Sequence, residues 1–562
     1  MAWTWTIQPP TLTEEAKHHR HTTINLYALT AHASSLTPLL FALVIKLVLV
    51  TLTQKTYVPI PTSPSAKAQR LTRARRVRDA LVRLRWWLDD DVGFGRRDEW
   101  LAGIVWLSWL LFLSIHGTGT DFLHFTKRLG AVAVSQLPAQ YALSLKALNP
   151  YALAFTSSHE RLNRFHGVLG RVIAVLLALH VACYNYFFVV VGIWPSRLLD
   201  RVVVYGLVAV VAVLALYLTT LTSVRRASYR LFFITHVIVA LLVPPLIFFH
   251  APSTRIYLIE SLLAILADLS VRKLRSITSP STLNLVPDAA LVAIEAHVPP
   301  RFLRSVSASP GSHVYLSIPP GSSRDSSVSR AFDFLHNPFS VAFVDDRRGS
   351  ITLVARLRQG PMTRTLARLA SSAGKVPLTI DGPYGSVARR LVGWSPSRIV
   401  VIAGGVGATF CLPLYRFLRE QLPTTTRVRL VWSVRTLADA AWASDAGLLP
   451  PDDEHDDEHD HDHDGFQLYV SGRPLAPALQ DTADTDPAVE LRPLRKALPP
   501  RHHRGRPHLD EVVDSVFRQG VEDSVAVLVC GPVEMAAHVR GCVRPWAMRG
   551  RDVWWHSESF GS

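Results

Sequence analysis

The chain has 562 residues, 49% of them hydrophobic, with a mean hydropathy of +0.20; this is high for a wholly soluble protein and suits one part membrane, one part soluble, and the length accommodates two or three domains. Four cysteines (Cys183, Cys411, Cys530, Cys542) form neither a disulfide framework nor a zinc pattern, and no CxxCH motif occurs. The net charge of +16 sits beside apolar segments, which suits the cytosolic face of a membrane and argues against nucleic acid as a partner.

The opening MAWTWTIQPP lacks a basic stretch followed by an apolar core, so no cleaved signal peptide is expected. Seven apolar segments then have about the length a bilayer crossing requires: 36–53, 100–117, 128–147, 165–191, 202–222, 231–250 and 255–271. Lys46 interrupts the first and is expected to snorkel or face the bundle. Glu260 and Asp268 in the last are expected to face protein. Eleven Lys and Arg lie in the 53–99 connection, and further basic residues stand at Arg161 and Arg164, at Arg225, Arg226 and Arg230, and at Arg272, Lys273 and Arg275. All fall on one side if the N-terminus is outside, which makes that side and everything after 280 cytosolic. Within 53–99, Leu71, Ala74, Val77, Leu81, Leu84 and Leu88 recur at helical spacing; a basic helix on the inner leaflet and a solvated connector fit equally well.

Histidines organise the fourth and sixth segments. His166 and His180 are fourteen residues apart, and so are His236 and His250. Fourteen residues rise roughly 21 Å and turn to within ~40° of one face, so each helix presents one imidazole near each membrane surface. Paired, the helices match His166 with His236 and His180 with His250, and two facing imidazoles are the axial set of a b-type haem. A single histidine in an apolar helix is ordinarily a packing residue; four at repeated spacing need a reason, because ionisable groups are costly there. Arg171, one turn beyond His166, is placed to pair with a haem propionate or simply to mark the cytosolic edge.

After Pro280 the texture becomes short β runs. LVAIEAHV, HVYLSI, ITLVARL and VPLTID, separated by Pro, Gly and Ser, outline a small antiparallel barrel. NPFS (337–340), preceded by His336, ends an expected barrel strand; Phe339 and Ser340 have the aromatic and hydroxyl that a flavin domain needs, while a turn with Pro and Phe is also common in any barrel. Arg356 and the GPMT run from Gly360 to Thr363 precede a helix whose start would admit a pyrophosphate. DGPYG (381–385) closes this region. From about 396 the pattern is α/β, with strands in RIVVIAGG, RVRLVWSV, FQLYV, VAVLVC and DVWWH. AGGVGAT (403–409) lies between a strand and a helix, the context of a dinucleotide phosphate site. RVRLVWSVR ends in Arg435, where an arginine rather than a carboxylate favours the 2′-phosphate of NADPH over NADH. CGP (530–532) ends another strand. Two insertions interrupt the pattern. DDEHDDEHDHDHD (452–464) is a solvated loop or a loose divalent-metal tract, and 481–507 is rich in Pro, Arg and His.

Taken together, HGVLGR with His180, His236 and His250, NPFS, DGPYG, AGGVGAT, the WSVR strand end, CGP and the terminal ESF resemble the fungal-type transmembrane ferric-chelate reductases, within the superfamily that includes the NADPH oxidases. The resemblance covers about 100–562, and the additional N-terminal helix also looks like the ferric reductases. It implies an α-helical transmembrane bundle with two haems, a cytosolic antiparallel β-barrel for FAD, and an α/β domain for NADPH. The domains are then 1–99 (first helix and basic loop), 100–275 (haem bundle), 276–390 (FAD barrel) and 396–562 (NADPH domain with its two insertions).

The resemblance further implies that Asn337, Pro338, Phe339, Ser340, Arg356, Gly360 and Thr363 serve the flavin. Gly404, Gly405, Gly407, Thr409 and Arg435 serve NADPH, and Cys530, Gly531, Pro532 and Phe560 flank the nicotinamide–flavin contact, Ser340, Cys530 and Phe560 being nearest the chemistry. The implied activity is NADPH-driven reduction of extracellular ferric chelates, and sometimes cupric ion, at the plasma membrane. The alternative is an NADPH oxidase making superoxide, a group that shortens the second histidine spacing by one residue. Three departures stand out: Asn337 occupies the position of the family's flavin-binding histidine, with His336 one residue earlier, the terminal ESF continues to Gly561 and Ser562 instead of tryptophan, and the Asp/His insert at 452–464 has no counterpart role in the family.

Overall fold

The computed structural model describes residues 5–7, 13–53, 76, 79–93, 95–319, 336–358, 360–371, 374–449, 465–472, 502–520 and 523–558. It divides into two compact units, one of 1–60 with 88–274 and one of 61–87 with 275–562.

The first unit is helical. Its principal helices are α1 (Glu14–Ser34), α2 (Thr37–Thr53), α3 (Arg97–Ile115), α4 (Phe122–Val134), α5 (Leu137–Ser144), α6 (His159–Val190), α7 (Arg201–Thr220), α8 (Tyr229–His250) and α9 (Arg255–Arg275). Five stretches are long and apolar enough to cross a membrane: Glu14–Val48, α3, α6, α7 and α8. The first begins well before residue 36, because Thr13 caps Ala16 N at 3.2 Å and starts a helix in polar sequence. The expected span 128–147 is instead two helices, α4 and α5, broken at Ser135 and Gln136; both are fully buried, and Gln136 donates to Ala31 O. The expected seventh span forms as α9 but lies outside the five, since charged residues dilute it.

Lys46, Asp268 and Glu260 each have a protein partner, Glu260 while remaining exposed. Lys46 donates to Leu153 O at 2.9 Å. Asp268 accepts from Ala147 N and Leu148 N, both at 2.8 Å, and Glu260 lies 3.4 Å from His32. Inside α8, Pro244 cannot donate to Ala240 O, the carbonyl one turn back. Tyr141 Oη donates to that oxygen, which lets α8 continue toward His250.

The second unit holds a closed six-stranded barrel, ordered β1-β2-β5-β4-β3-β6, and a six-stranded sheet, ordered β10-β9-β8-β7-β11-β12. Barrel strands are β1 (Ile277–Val286), β2 (Leu291–His297), β3 (His313–Ser317), β4 (Asn337–Asp345), β5 (Ser350–Arg356) and β6 (Val376–Tyr384), all paired antiparallel. Sheet strands are β7 (Arg398–Gly404), β8 (Arg427–Val434), β9 (Phe466–Val470), β10 (His503–Arg504), β11 (Val525–Cys530) and β12 (Val553–Glu558), all parallel. A helix, α10 (Pro361–Ala370), packs on the barrel, while α11 (Ala408–Gln421) and α12 (Val533–Met548) pack on the sheet. Strands β7 and β11 are almost continuously apolar because both faces are covered, and β8 is as buried but carries Arg429, hydrogen-bonded to Ser515 and Gln467.

The amphipathic helix expected near 71–88 lies partly outside the described residues. Its described portion, 79–88, leaves Leu81 and Leu84 exposed and docks on the sheet domain through Trp86, which joins the cluster containing Val513, Phe517 and Val543. The insertion 452–464 and most of 481–507 also lie outside the described residues.

Candidate functional site

Helices α6 and α8 bring the four histidines together as two couples. Ring centroids of His166 and His236 are 5.8 Å apart, and those of His180 and His250 are 6.4 Å apart. Imidazole nitrogens about 2 Å from a shared metal on opposite sides place ring centroids on the order of 6 Å apart, so both couples match an axial pair in separation.

The tautomers match as well. Nδ1 of His166 donates to Gln140 O at 2.9 Å, Nδ1 of His180 to Thr126 O at 2.8 Å, and Nδ1 of His250 to Val202 O at 2.7 Å. A carbonyl only accepts, so the proton is on Nδ1 and Nε2 keeps its lone pair, the arrangement that metal-bound histidines use. His236 differs: its buried Nδ1 has no partner among the described residues.

Two glycines, absent from the sequence-based site, make the His180 and His250 contacts possible. A Cβ on Gly130 would lie 2.7 Å from the His180 ring, and one on Gly206 would lie 2.6 Å from that of His250. Each accepting carbonyl belongs to the residue four before its glycine, Thr126 before Gly130 and Val202 before Gly206. Removing one side chain thus opens a notch in which the neighbouring imidazole reaches helix backbone. Gly130 and Gly206 each stand in apolar helical sequence, and that unexplained cost in a helix was the available signal.

A cavity of about 1590 Å³ includes His180 and His250 in its wall and runs along α6 to Glu99 and Arg171. Arg171 thus lines the space that a haem at this couple would share. His116, Asp121 and His124, polar residues beyond the His180 end, are all engaged. Tyr27 Oη is 2.6 Å from His116 Nδ1, Arg20 is 2.6 Å from Asp121, and Arg128 is 2.8 Å from His124 Nε2.

In the barrel, β4 carries the predicted flavin residues, which open that strand and do not end one as expected. Ser340 pairs across with His313, Phe339 with Val314 and Pro338 with Tyr315. Ser340 is buried, Phe339 and Asn337 half-buried and Pro338 exposed. The rings of His313, Tyr315 and Tyr384 lie together beside this segment, and Tyr384 Oη donates to buried Asp381 at 2.8 Å. Gly360 is the N-cap of α10, and Thr363 Oγ1 donates to Arg358 O at 2.8 Å, fastening the loop that follows β5. Arg356, at the end of β5, reaches across to the sheet domain: its Nη1 would be 3.9 Å from a Cβ on Gly405.

In the sheet domain the glycine turn and the CGP segment meet. A Cβ on Gly407 would lie 2.1 Å from Cys530 O, and one on Gly531 would lie 3.1 Å from Gly404 Cα. Gly405 has φ +54°, a left-handed conformation that favours glycine. These glycines let the ends of β7 and β11 approach closely, and Pro532 then caps the start of α12. Thr409 is buried and its hydroxyl donates to Val406 O at 2.9 Å. The Cys530 thiol is fully buried; burial pushes its pKa well up, and Cys411 beside it adds to the shift. Arg435 stands exposed at the carboxyl end of β8, where Gly472 N donates to its carbonyl at 2.8 Å. Phe560 lies outside the described residues.

Residues 129–247 match the family described as the ferric reductase like transmembrane component, and residues 397–544 match the ferric reductase NAD binding domain. The chain is 25% identical over 362 residues to ferric/cupric reductase transmembrane component 2 of Schizosaccharomyces pombe, covering 55% of this chain and 61% of that one. It is 26% identical over 456 residues to a probable metalloreductase AIM14 of Meyerozyma guilliermondii, covering 77% and 84%. Of the two Schizosaccharomyces pombe relatives, the match spans 61% and 60% of their lengths. Among solved structures, a ferredoxin NADP+ reductase from Neisseria gonorrhoeae with bound FAD and NADP is 13% identical with a TM-score of 0.33, covering 50% of this chain and 98% of that one.

Proposed function

We propose that the chain, whose residues 129–247 and 397–544 match the ferric reductase transmembrane and NAD-binding families, moves electrons from cytosolic NADPH across the plasma membrane to ferric chelates, and to cupric ion, on the far side. The observation that carries this reading is the pair of facing imidazole couples, three of whose four rings are held by backbone carbonyls with Nε2 unprotonated. When bound, FAD would convert the hydride of NADPH into single electrons, and two b-type haems would relay them to the acceptor.

The chain's own residues bind and orient. His166 and His236 would hold one haem, and His180 and His250 the other. Glycine-lined backbone at 404–407 leaves room for a pyrophosphate near the start of α11, and Arg435 offers an exposed guanidinium to a 2′-phosphate. Asn337 to Ser340 and Arg356 would seat the flavin, with Asn337 in place of the family's histidine supplying an amide instead of an imidazole. Buried Cys530 is a neutral thiol at the floor of the nucleotide site and would pack there without attacking anything.

The experiment is a reduced-minus-oxidised spectrum together with anaerobic turnover in isolated membranes. Two low-spin haems per chain are expected, one lost with His180→Ala or His250→Ala and the other with His166→Ala or His236→Ala. NADPH-dependent reduction of a ferric chelate should persist under nitrogen and resist superoxide dismutase. A single haem, or iron reduction that fails without oxygen, would overturn the proposal; the second result would identify superoxide as the product.

A further inference from the structure

One face of α4 carries a charge that the electron path leaves unused. Leu123, Lys127, Gly130, Ala131 and Val134 line the cavity and recur at helical spacing, so they form one stripe. The same stretch of helix touches an axial imidazole. Thr126 O, the carbonyl immediately before Lys127, accepts from His180 Nδ1 at 2.8 Å, and Gly130 receives the His180 ring. Lys127 is therefore anchored within one helical turn of the His180 couple.

Three of the other cations near this end are engaged, while exposed Arg201, beside Val202, lies outside the cavity wall. Arg20 pairs with Asp121 at 2.6 Å, Arg197 pairs with Asp200, and fully buried Arg128 donates to His124 and His116 O while its guanidinium lies 4.1 Å from the Tyr27 ring centroid. Lys127 is exposed, lines the cavity, and makes no ion pair or hydrogen bond among the described residues. Exposed His21 on α1 lines the same cavity and is likewise unpartnered among the described residues. Asp121, already paired with Arg20, is the carboxylate within electrostatic reach of Lys127, and an ammonium with no ion pair of its own beside an apolar cavity suits a partner that arrives carrying negative charge.

Building on the reductase reading above, we propose that Lys127, with His21 beside the same cavity, selects anionic ferric carboxylate chelates over neutral or cationic iron complexes. A single electron reduces the bound Fe(III) to Fe(II), no bond to carbon forms or breaks, and the chelate gains one negative charge. Lys127 steers the anion to the His180 end and offsets the added charge. It acts as a specificity-determining residue and takes no part in the electron transfer itself.

The test uses the full-length, haem-loaded protein in membranes with two probes, anionic ferric–EDTA and cationic ferrioxamine B. Under nitrogen at low salt, the ratio of kcat/KM for the anion to that for the cation should fall about five- to tenfold in Lys127→Gln. It should fall further in Lys127→Glu and return in Lys127→Arg. In the wild type that preference should shrink as added salt screens the charge. Redox titration of the same membranes should give unchanged haem midpoint potentials. An unchanged ratio would overturn the proposal, as would equal slowing of both acceptors with a shifted potential, which would make Lys127 a partner of the haem. Failure of the wild type to reduce either probe would instead defeat the reductase reading.

Discussion

The substitution Gly206→Ala tests whether the histidine couples are built as metal sites or merely packed. The added Cβ would sit 2.6 Å from Cε1, 2.8 Å from Nδ1 and 3.2 Å from Nε2 of His250. Ordinary contact begins near 3.4 Å, so the ring must retreat by roughly 0.6–0.8 Å, and the 2.7 Å bond from Nδ1 to Val202 O is lost or badly bent. Loss of an orienting contact to a metal-binding histidine costs about 10- to 100-fold in metal affinity. With the iron ligand displaced as well, the upper end of that range is expected. Haem titrated into detergent-solubilised apoprotein, followed by Soret absorbance, should therefore fill one site normally and the second about 100-fold more weakly. Gly130→Ala should do the same through His180, whose ring would lie 2.7 Å from the new Cβ. Gly167→Ala is the control: on the same helix as His180, its Cβ would meet nothing within 4 Å, and alanine there should stabilise the helix by about 0.5–1 kcal/mol. Two low-spin haems of wild-type affinity in Gly206→Ala would refute the reasoning.

Arg435→Ala should raise the Michaelis constant for NADPH and leave that for NADH nearly unchanged, because only the contact to the 2′-phosphate is removed; equal losses with both cofactors would assign Arg435 a structural role. Gly407→Ala drives a Cβ to 2.1 Å from a backbone carbonyl that no rotamer change can move, so thermal unfolding should show a loss of about 3 kcal/mol, the upper end of overpacking costs. Deleting 452–464 should leave haem content, flavin content and ferric reduction intact, as expected of a solvated loop; a large loss of turnover with both cofactors still bound would give the tract a working role.

Much of this protein was legible in the chain because its signals are periodic. Histidines at a fourteen-residue spacing already define two couples on two helices, since 3.6 residues per turn sets both depth and direction. Four barrel strands and five sheet strands were equally legible, as β-branched runs between Gly and Pro punctuation. Strand β1 was not, because SPSTLN within it reads as a turn by composition and is held extended only by pairing with β2 and β6. Nor was the break between α4 and α5. Hydropathy counts apolar residues and cannot see that Gln136 finds Ala31 O across the bundle.

What only the tertiary structure decided is how each imidazole is held. Chemical type and spacing put His180 and His250 opposite one another, but which nitrogen keeps its proton depends on the carbonyls of Thr126 and Val202, which belong to other helices. Those carbonyls are reachable only where Gly130 and Gly206 leave out a side chain. A glycine in an apolar helix looks, in sequence, like a small loss of stability. It becomes part of the site only when packing brings a ring against it, because close approach is a relation between helices that no local pattern encodes.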